Sequence, residues 1–297
     1  MNQKQVRQAL ERYRLTSGKG FHLKDHDPDD VAEGIVNKHD SETLLADGVA
    51  RLAQLQELLY PNGRWGLLCI FQAMDAAGKD GTIKHVMSGV NPQGVQVTSF
   101  KAPSSDEIAH DFLWRVSRRL PERGNIGIFN RSHYEEVLVV RVHKDLLAAE
   151  RLPPELTGKK IWQQRLEDIA GFERYLARQG MVILKFFLNI SHDEQKRRFM
   201  ARLDDPDKNW KFSASDIAER AYWDAYMEAY ESAIAATAAP HAPWYVVPAN
   251  NKWFTRLVVV GAMVDALEAL DLKPMEMQAP DRIRLEEARR RLMAEGA

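Results

Sequence analysis

The chain has 297 residues, a formal net charge of −1 at neutral pH, 45% hydrophobic residues and 28% charged residues. That composition is ordinary for a globular protein, and the near-zero charge excludes a general electrostatic attraction to nucleic acid or membranes. The single cysteine excludes an intrachain disulfide, and the polar N-terminus lacks the apolar stretch of a signal peptide. We therefore expect a cytoplasmic protein without nucleic-acid or membrane partners, folded as one domain over residues 1–297.

Alternating strand and helix patterns follow an N-terminal helical arm, which is predicted over residues 1–60. Five apolar runs bounded by turns are typical of buried parallel strands, at residues 65–73, 95–102, 125–130, 181–190 and 244–248. Helical spacing of apolar residues occupies residues 81–89, 104–120, 161–179, 191–203, 213–236 and 253–270. A last segment, residues 280–297, is predicted to be a charged, solvent-exposed helix. The alternation indicates an α/β fold whose five-stranded parallel sheet is flanked by helices.

The segment that joins the first predicted strand to the next helix has the pattern of a phosphate-binding turn, or P-loop. Residues 73–82 read Ala-Met-Asp-Ala-Ala-Gly-Lys-Asp-Gly-Thr. Such a turn points backbone N–H groups at an anion, the new helix adds the positive end of its dipole, and Lys79 adds a positive charge. The predicted phosphate-binding residues of this segment are Ala76, Ala77, Gly78, Lys79, Asp80, Gly81, Thr82 and Lys84.

Two carboxylates in this turn indicate a divalent cation. Asp80 stands where a P-loop usually has the hydroxyl residue that holds Mg²⁺, and Asp75 adds a second acid. Carboxylates repel phosphate unless a cation such as Mg²⁺, or alternatively Mn²⁺, lies between them. The alternative is a glycine turn that merely joins a strand to a helix, and it leaves both carboxylates unexplained.

A second cluster of functional residues follows the third predicted strand, where residues 130–135 read Asn-Arg-Ser-His-Tyr-Glu. Ligands bind at the carboxyl ends of parallel strands, so Asn130 and Arg131 are expected to face the P-loop, with Asn130 beside Asp75. Arg131 suits a forked contact to phosphoryl oxygens, and Glu135 either assists the metal or orients Arg131. His133 is either a phosphate contact or a packing residue; both interpretations stay open.

A basic segment over residues 191–215 has the pattern of a lid. Arg198 and Arg202 share one face of a predicted helix, and Lys208 and Lys211 follow on a loop. Alone, this pattern favours a solvated surface helix. In a chain that also contains a P-loop, the expected function is a lid that contributes cations to the transferring phosphoryl group and excludes water.

Together these segments resemble the polyphosphate kinase 2 family from about residue 21 to residue 266. The motifs that carry the resemblance are residues 75–80, 130–135, 202–213 and 242–250. The resemblance implies a thymidylate-kinase-like P-loop kinase fold with a helical lid, and transfer of the terminal phosphoryl group of inorganic polyphosphate to adenine nucleotides. It implies Asp75, Lys79 and Arg131 as catalytic residues.

The resemblance also implies a nucleotide site formed by Asp75, Asn130, Arg131 and Glu135, and a metal site formed by Asp75, Asp80 and Asn130. Members that use only ADP commonly have aspartate at the position of Asn130, so the asparagine favours the branch that accepts both AMP and ADP. Relatives often form dimers or tetramers, which predicts a homodimer or homotetramer. Two alternatives stay open: an ATP-dependent nucleoside monophosphate kinase, and a P-loop protein that binds nucleotide without turnover.

Overall fold

The computed structural model describes residues 9–33, 37–207, 209, 214–274 and 279–295. A six-stranded sheet forms the centre of the molecule, with the strand order β1-β6-β5-β2-β4-β3. The strands are β1 (Arg14–Leu15), β2 (Gly66–Gln72), β3 (Val95–Ser99), β4 (Ile126–Asn130), β5 (Met181–Asn189) and β6 (Trp244–Pro248). The α/β class and the five predicted strands are confirmed.

The sheet is mixed rather than purely parallel, which corrects the five-stranded prediction. Strands β2 to β6 run parallel, whereas β1 pairs antiparallel with β6 through Arg14–Tyr245 and Leu15–Trp244. Only two residues form β1, and they lie in the segment predicted as a helical arm. Two residues are too few to show an alternating strand pattern in the sequence. They form a strand because they pair with β6, which is distant in the chain.

The helices flank this sheet. In chain order they are α1 (Ser41–Asn62), α2 (Lys79–Val86), α3 (Ser105–Ile108), α4 (Trp114–Ser117), α5 (Val139–Val142), α6 (Lys144–Ala149), α7 (Ile161–Arg178), α8 (His192–Leu203), α9 (Ala214–Glu219), α10 (Trp223–Thr237), α11 (Lys252–Glu268) and α12 (Ala279–Ala294). Short 3₁₀ helices occupy Leu23–Asp25, Lys38–Asp40, Pro92–Gly94, His133–Val137, Pro154–Leu156 and Arg220–Tyr222. Among the described residues, none of the helices combines the length and the hydropathy of a membrane span.

Two long predicted helices are interrupted. The segment 104–120 forms α3 and α4 with a break between them, where the Asp111 carboxylate accepts a hydrogen bond from the Leu113 N–H at 3.0 Å. Such a local side-chain bond competes with the helical pattern. The segment 213–236 is divided by the 3₁₀ turn at Arg220–Tyr222. Helices α5 and α6 occupy a segment for which no element was predicted.

Strand β2 lies between β4 and β5, and all seven of its residues are buried. The sequence of this strand is continuously apolar because a central parallel strand is covered by protein on both faces. The register pairs Phe71 of β2 with Asn130 of β4. Because both strands end at the same edge, the residues that follow them, the P-loop and Arg131, are neighbours in space.

A buried ion pair ties β5 to α7 beneath this edge. Lys185 and Glu173 are almost fully buried, and the Lys185 ammonium donates to a Glu173 carboxylate oxygen at 2.5 Å and to the Thr237 carbonyl at 2.8 Å. The Tyr134 hydroxyl donates to the other Glu173 oxygen at 2.8 Å. A charge in the protein interior needs a partner and further hydrogen bonds. The network meets that need and also fixes Tyr134, three residues after Arg131.

Removing the cation of this network should destabilise the protein strongly. We expect Lys185→Met to lower the free energy of unfolding by about 3–5 kcal/mol, because the Glu173 carboxylate stays buried without its partner. Urea unfolding at neutral pH measures this. The matched control is Lys144→Met on the exposed surface, which should change stability by less than about 0.5 kcal/mol. A loss below about 1 kcal/mol for Lys185→Met would show that the pair is not needed for stability.

Candidate active site

A cavity of about 880 Å³ lies at the carboxyl edge of the sheet, over the ends of β2 and β4. Its wall contains the P-loop residues from Asp75 to Thr82, Asn130 and Arg131 from the end of β4, and Arg198 and Arg202 from α8. The structure therefore brings together twelve of the residues selected from the sequence, although they come from three separate segments.

The P-loop backbone has the conformation that an anion-binding turn needs. Ala76 and Gly78 have positive φ angles of 62° and 102°. Residues in this left-handed region turn successive N–H groups toward one side of the chain. Helix α2 begins at Lys79, so the N–H groups of its first turn have no intrahelical acceptor. The turn and the helix terminus therefore present N–H donors together.

Lys79 is held at the centre of the turn by the loop itself. Its ammonium donates to the carbonyl oxygens of Ala73 at 2.8 Å and Met74 at 3.5 Å, and the side chain is only 9% exposed. Burial lowers the pKa of Lys79, and the nearby Asp75 carboxylate opposes that shift. An ammonium has three N–H donors, so two loop carbonyls leave one for a phosphate oxygen.

Arg131 bridges the two strand ends through two carboxylates. Its guanidinium donates to Asp75 Oδ1 at 2.9 Å and lies 3.6 Å from Glu135 Oε2. The Arg131 backbone has φ = 64°, which is strained for a residue with a side chain, and its N–H donates to the Phe71 carbonyl at 3.0 Å. This backbone turn directs the side chain of Arg131 back to the P-loop. Burial raises the pKa of Glu135, against the effects of Arg131 and Lys79.

Asn130 contacts Asp80 rather than Asp75. Its side-chain amide donates to Asp80 Oδ1 at 2.7 Å. The sequence analysis placed Asn130 beside Asp75; the hydrogen bond found is to Asp80, whereas Asp75 Oδ1 accepts from Arg131. The bond between Asn130 and Asp80 links the end of β4 to the first turn of α2.

The three proposed metal ligands keep free oxygen atoms. In the described part of the chain, Asp75 and Asp80 each use one carboxylate oxygen in a side-chain hydrogen bond and leave the other without one, and the Asn130 carbonyl oxygen also accepts none. The described residues contain no cluster of three or more acidic, histidine or cysteine side chains arranged for a metal. Mg²⁺ is commonly held by one or two carboxylates and completed by substrate phosphates and water. The donor set fits that kind of site, not an all-protein cage.

Arg198 connects the predicted lid helix to the P-loop by its guanidinium. Nη1 donates to the carbonyls of Ala76 at 3.1 Å and Ala77 at 2.7 Å, and Nη2 donates to the carbonyls of Ala249 at 2.5 Å and Asn250 at 3.0 Å. Nε donates to Glu194 at 2.6 Å. Arg198 was predicted to contact polyphosphate, but its five N–H donors are committed to the protein. Its hydrogen bonds connect α8 to the P-loop and to the segment before α11.

The remaining predicted cations lie in different surroundings. Arg202 lines the cavity and lies 3.6 Å from Asp216 of α9, which the sequence did not single out. Lys84 is exposed on α2 and does not contribute to the cavity wall. Lys208 and Lys211 fall outside the described residues.

His133 faces the core rather than the cavity. The side chain is 2% exposed, and its Nε2 lies 3.7 Å from Glu173, beside the Lys185 network. It packs against the rings of Tyr134 and Phe172. Of the two interpretations of this histidine, the packing residue is therefore the one found. The 3₁₀ turn that follows Ser132 directs His133 inward, which the letters of the motif do not reveal.

Two cations of α11 complete the cavity wall and were missed in the sequence. Lys252 and Arg256 line the cavity from the first two turns of this helix. They are four residues apart, so they share one face, and α11 follows the carboxyl end of the parallel strand β6. That spacing after a strand end was the signal that could have found them.

A glycine-bearing turn with a buried lysine, placed between the central strand and a helix at the carboxyl edge of a mostly parallel sheet, defines the P-loop kinase class. Comparison with known proteins narrows the class: a family model described as polyphosphate kinase 2 matches residues 35–274. The chain belongs to the polyphosphate kinase 2 family, as the sequence motifs predicted.

Individual relatives agree over most of their length. The chain is 52% identical to an ADP-polyphosphate phosphotransferase of Rhodopseudomonas palustris, with 86% of this chain and 89% of the relative covered. It is 46% identical to an AMP/ADP-polyphosphate phosphotransferase of Meiothermus ruber, over 93% of this chain and 100% of the relative. The crystal structure of polyphosphate kinase 2 from Arthrobacter aurescens TC1 matches with a TM-score of 0.82 at 45% identity, covering 92% of this chain and 95% of that one.

Loss of the Arg198 hydrogen bonds should make the P-loop less stable locally. We expect Arg198→Gln to lower the free energy of unfolding by about 2–3 kcal/mol, because glutamine cannot reach the four carbonyls that lose a charged donor. Hydrogen exchange of the amides in residues 74–78 should become faster. The matched control is Arg197→Gln, whose side chain is 75% exposed on the same helix. If exchange in the loop is the same in both variants, the P-loop does not depend on Arg198.

Proposed function

We propose that the protein transfers the terminal phosphoryl group of inorganic polyphosphate to AMP and ADP, giving ADP and ATP in a reversible, Mg²⁺-dependent reaction. One observation carries the choice of donor. Among the described residues of the cavity wall, seven are lysine or arginine, three are aspartate and one, Phe100, is aromatic. Such a wall suits a polyanionic chain better than a second adenine ring, which an ATP donor would bring.

The P-loop and the end of β4 supply the groups that phosphoryl transfer needs. Transfer passes through a loose, metaphosphate-like state in which negative charge is spread over three oxygens, so positioned cations lower the barrier. Lys79 and Arg131 are the proposed cations, and Glu135 orients Arg131. Mg²⁺, when bound through Asp75, Asp80 and Asn130, would neutralise charge on the phosphates. No nucleophilic side chain is required, and the transfer is direct.

The acceptor nucleotide is proposed to lie on the β4 side of the P-loop, where Asp75, Asn130, Arg131 and Glu135 meet. Relatives at similar identity include one named for ADP and one named for AMP and ADP. AMP and ADP differ by one phosphate, so a site for both must tolerate two placements of the attacking oxygen. The neutral amide of Asn130, which can donate and accept, favours that tolerance.

The donor is proposed to lie under the lid, with Arg202, Lys208 and Lys211 as its contacts. Arg198 takes a positioning function in this arrangement, since it holds the loop that cradles the phosphate. Assembly as a homodimer or homotetramer and a cytoplasmic location remain predictions from the sequence.

The direct test of this function separates polyphosphate from ATP as donor. The protein is incubated with AMP, Mg²⁺ and either long-chain polyphosphate or ATP, and the nucleotides are separated. We expect ADP and then ATP from polyphosphate, and no product in EDTA. Lys79→Ala should lower kcat by about 10²-fold or more, since its charge acts in the transition state. Turnover with ATP alone would instead indicate a nucleoside monophosphate kinase, and binding without product a non-catalytic protein.

The contact between Asn130 and Asp80 gives a sharper prediction about the acceptor. Asn130→Asp places a second carboxylate within hydrogen-bonding distance of Asp80, and two such acids repel unless a cation or proton lies between them. We expect the ratio of the AMP and ADP rates to change by about tenfold or more, or about 1.4 kcal/mol. The Mg²⁺ concentration for half-maximal rate should also change.

Initial rates with each acceptor over a Mg²⁺ series measure both effects. Asn130→Ser is the control, because it removes the amide without adding charge. An unchanged ratio in Asn130→Asp would show that Asn130 does not influence acceptor choice. A wild type that cannot use AMP would contradict dual acceptor use.

A further inference from the structure

Among the cavity arginines, Arg256 is the one for which the described residues supply no hydrogen bond or ion pair. It is half-buried on the second turn of α11, and its Nε is inaccessible to solvent and makes no hydrogen bond within the described part of the chain. Burial lowers the pKa of its guanidinium. An Nε–H that has lost water without gaining an acceptor costs free energy, although the rest of this half-exposed guanidinium keeps its contact with solvent.

The other cavity arginines are compensated. Arg131 meets Asp75 and Glu135, Arg198 meets Glu194 and four carbonyls, and Arg202 meets Asp216. Uncompensated charges in native proteins are concentrated at functional sites, where a ligand supplies the missing partner. The chemistry of an unpaired guanidinium in a wall rich in cations fits a phosphate group, which can accept its forked donors.

The position of α11 separates this cation from the acceptor residues. In the sheet, β6 and β5 lie on one side of β2, whereas β4 and β3 lie on the other. Helix α11 follows β6, so Arg256 approaches the P-loop from the side opposite Asn130 and Arg131. Helix α11 packs against α2, the helix that begins at Lys79, and Lys79 and Arg256 line the same cavity. A chain of phosphates carries a charge on every unit, so different phosphates of one chain can contact the two cations.

We propose that Arg256, with Lys252 one turn before it, binds a non-reacting phosphate of the polyphosphate donor, so that α11 forms the distal part of the donor site. This inference rests on the proposed function, because it requires polyphosphate as the donor. Arg256 and Lys252 would stabilise bound polyphosphate equally in the ground state and in the transition state. They should therefore affect donor affinity and leave the chemical step unchanged.

The test compares Arg256→Gln and Arg256→Lys with wild type and with Arg289→Gln, an exposed control on α12. We expect Arg256→Gln to raise KM for long-chain polyphosphate by about five- to tenfold, with kcat and KM for the nucleotide within about twofold. Arg256→Lys should recover part of the loss because it keeps the charge. The increase in KM with added salt should be weaker in Arg256→Gln than in wild type, since one screened contact is gone.

Direct binding of long-chain polyphosphate, measured calorimetrically without nucleotide, separates this inference from the function on which it rests. Wild type that binds and transfers while Arg256→Gln does both equally well would overturn the inference alone. Wild type that neither binds nor transfers would overturn the proposed function. A loss confined to the nucleotide would assign Arg256 to the acceptor.

Thermal unfolding tests whether Arg256→Gln acts by destabilising the fold. Because the charge of Arg256 is uncompensated in the protein alone, Arg256→Gln should unfold at the same temperature as wild type or a higher one. A fall of more than about 4 °C, equivalent to about 1 kcal/mol or more, would show that Arg256 stabilises the fold and would overturn the inference.

Discussion

The parallel pairing of β2 with β4 is the constraint on which the active site depends. Phe71 and Asn130 are paired at the last rung, and the Arg131 N–H continues the ladder by donating to the Phe71 carbonyl at 3.0 Å. At this position the Arg131 backbone has φ = 64°, a strained conformation for a residue with a side chain, and its guanidinium reaches Asp75. A change of register by one residue would move Arg131 to the other face of the sheet and dissolve the site.

Several of the cationic side chains around the cavity make hydrogen bonds within the protein itself. Lys79 donates to loop carbonyls, and Arg198 donates hydrogen bonds to the P-loop and to the segment before α11. These bonds keep a turn with left-handed residues in one conformation, so that its N–H groups are oriented before phosphate arrives. Preorganisation of this kind reduces the cost of reorientation during the reaction. Arg256, for which the described residues supply no such bond, is the arginine that we propose as a contact of the donor.

The acidic residues of the P-loop are explained by the same geometry. Asp75 and Asp80 each have one oxygen fixed by a neighbour from the end of β4, Arg131 or Asn130, and one oxygen left over. The fixed oxygens set the direction of the free ones. A cation bound between them and the phosphates would then have a defined position, which links metal binding to the same strand pairing that places Arg131.

The sequence by itself determined the features that lie within a few neighbouring residues. The P-loop, the motif after β4 and the five parallel strands were predicted because strand, turn and helix follow one another locally and carry their chemistry with them. The tertiary structure alone decided which side chains pair. Asn130 reaches Asp80 across 50 positions and Arg198 reaches Ala77 across 121, while His133 turns inward to Glu173. Such partners depend on sheet order and helix placement, and no local period of the chain encodes the distance between segments that far apart.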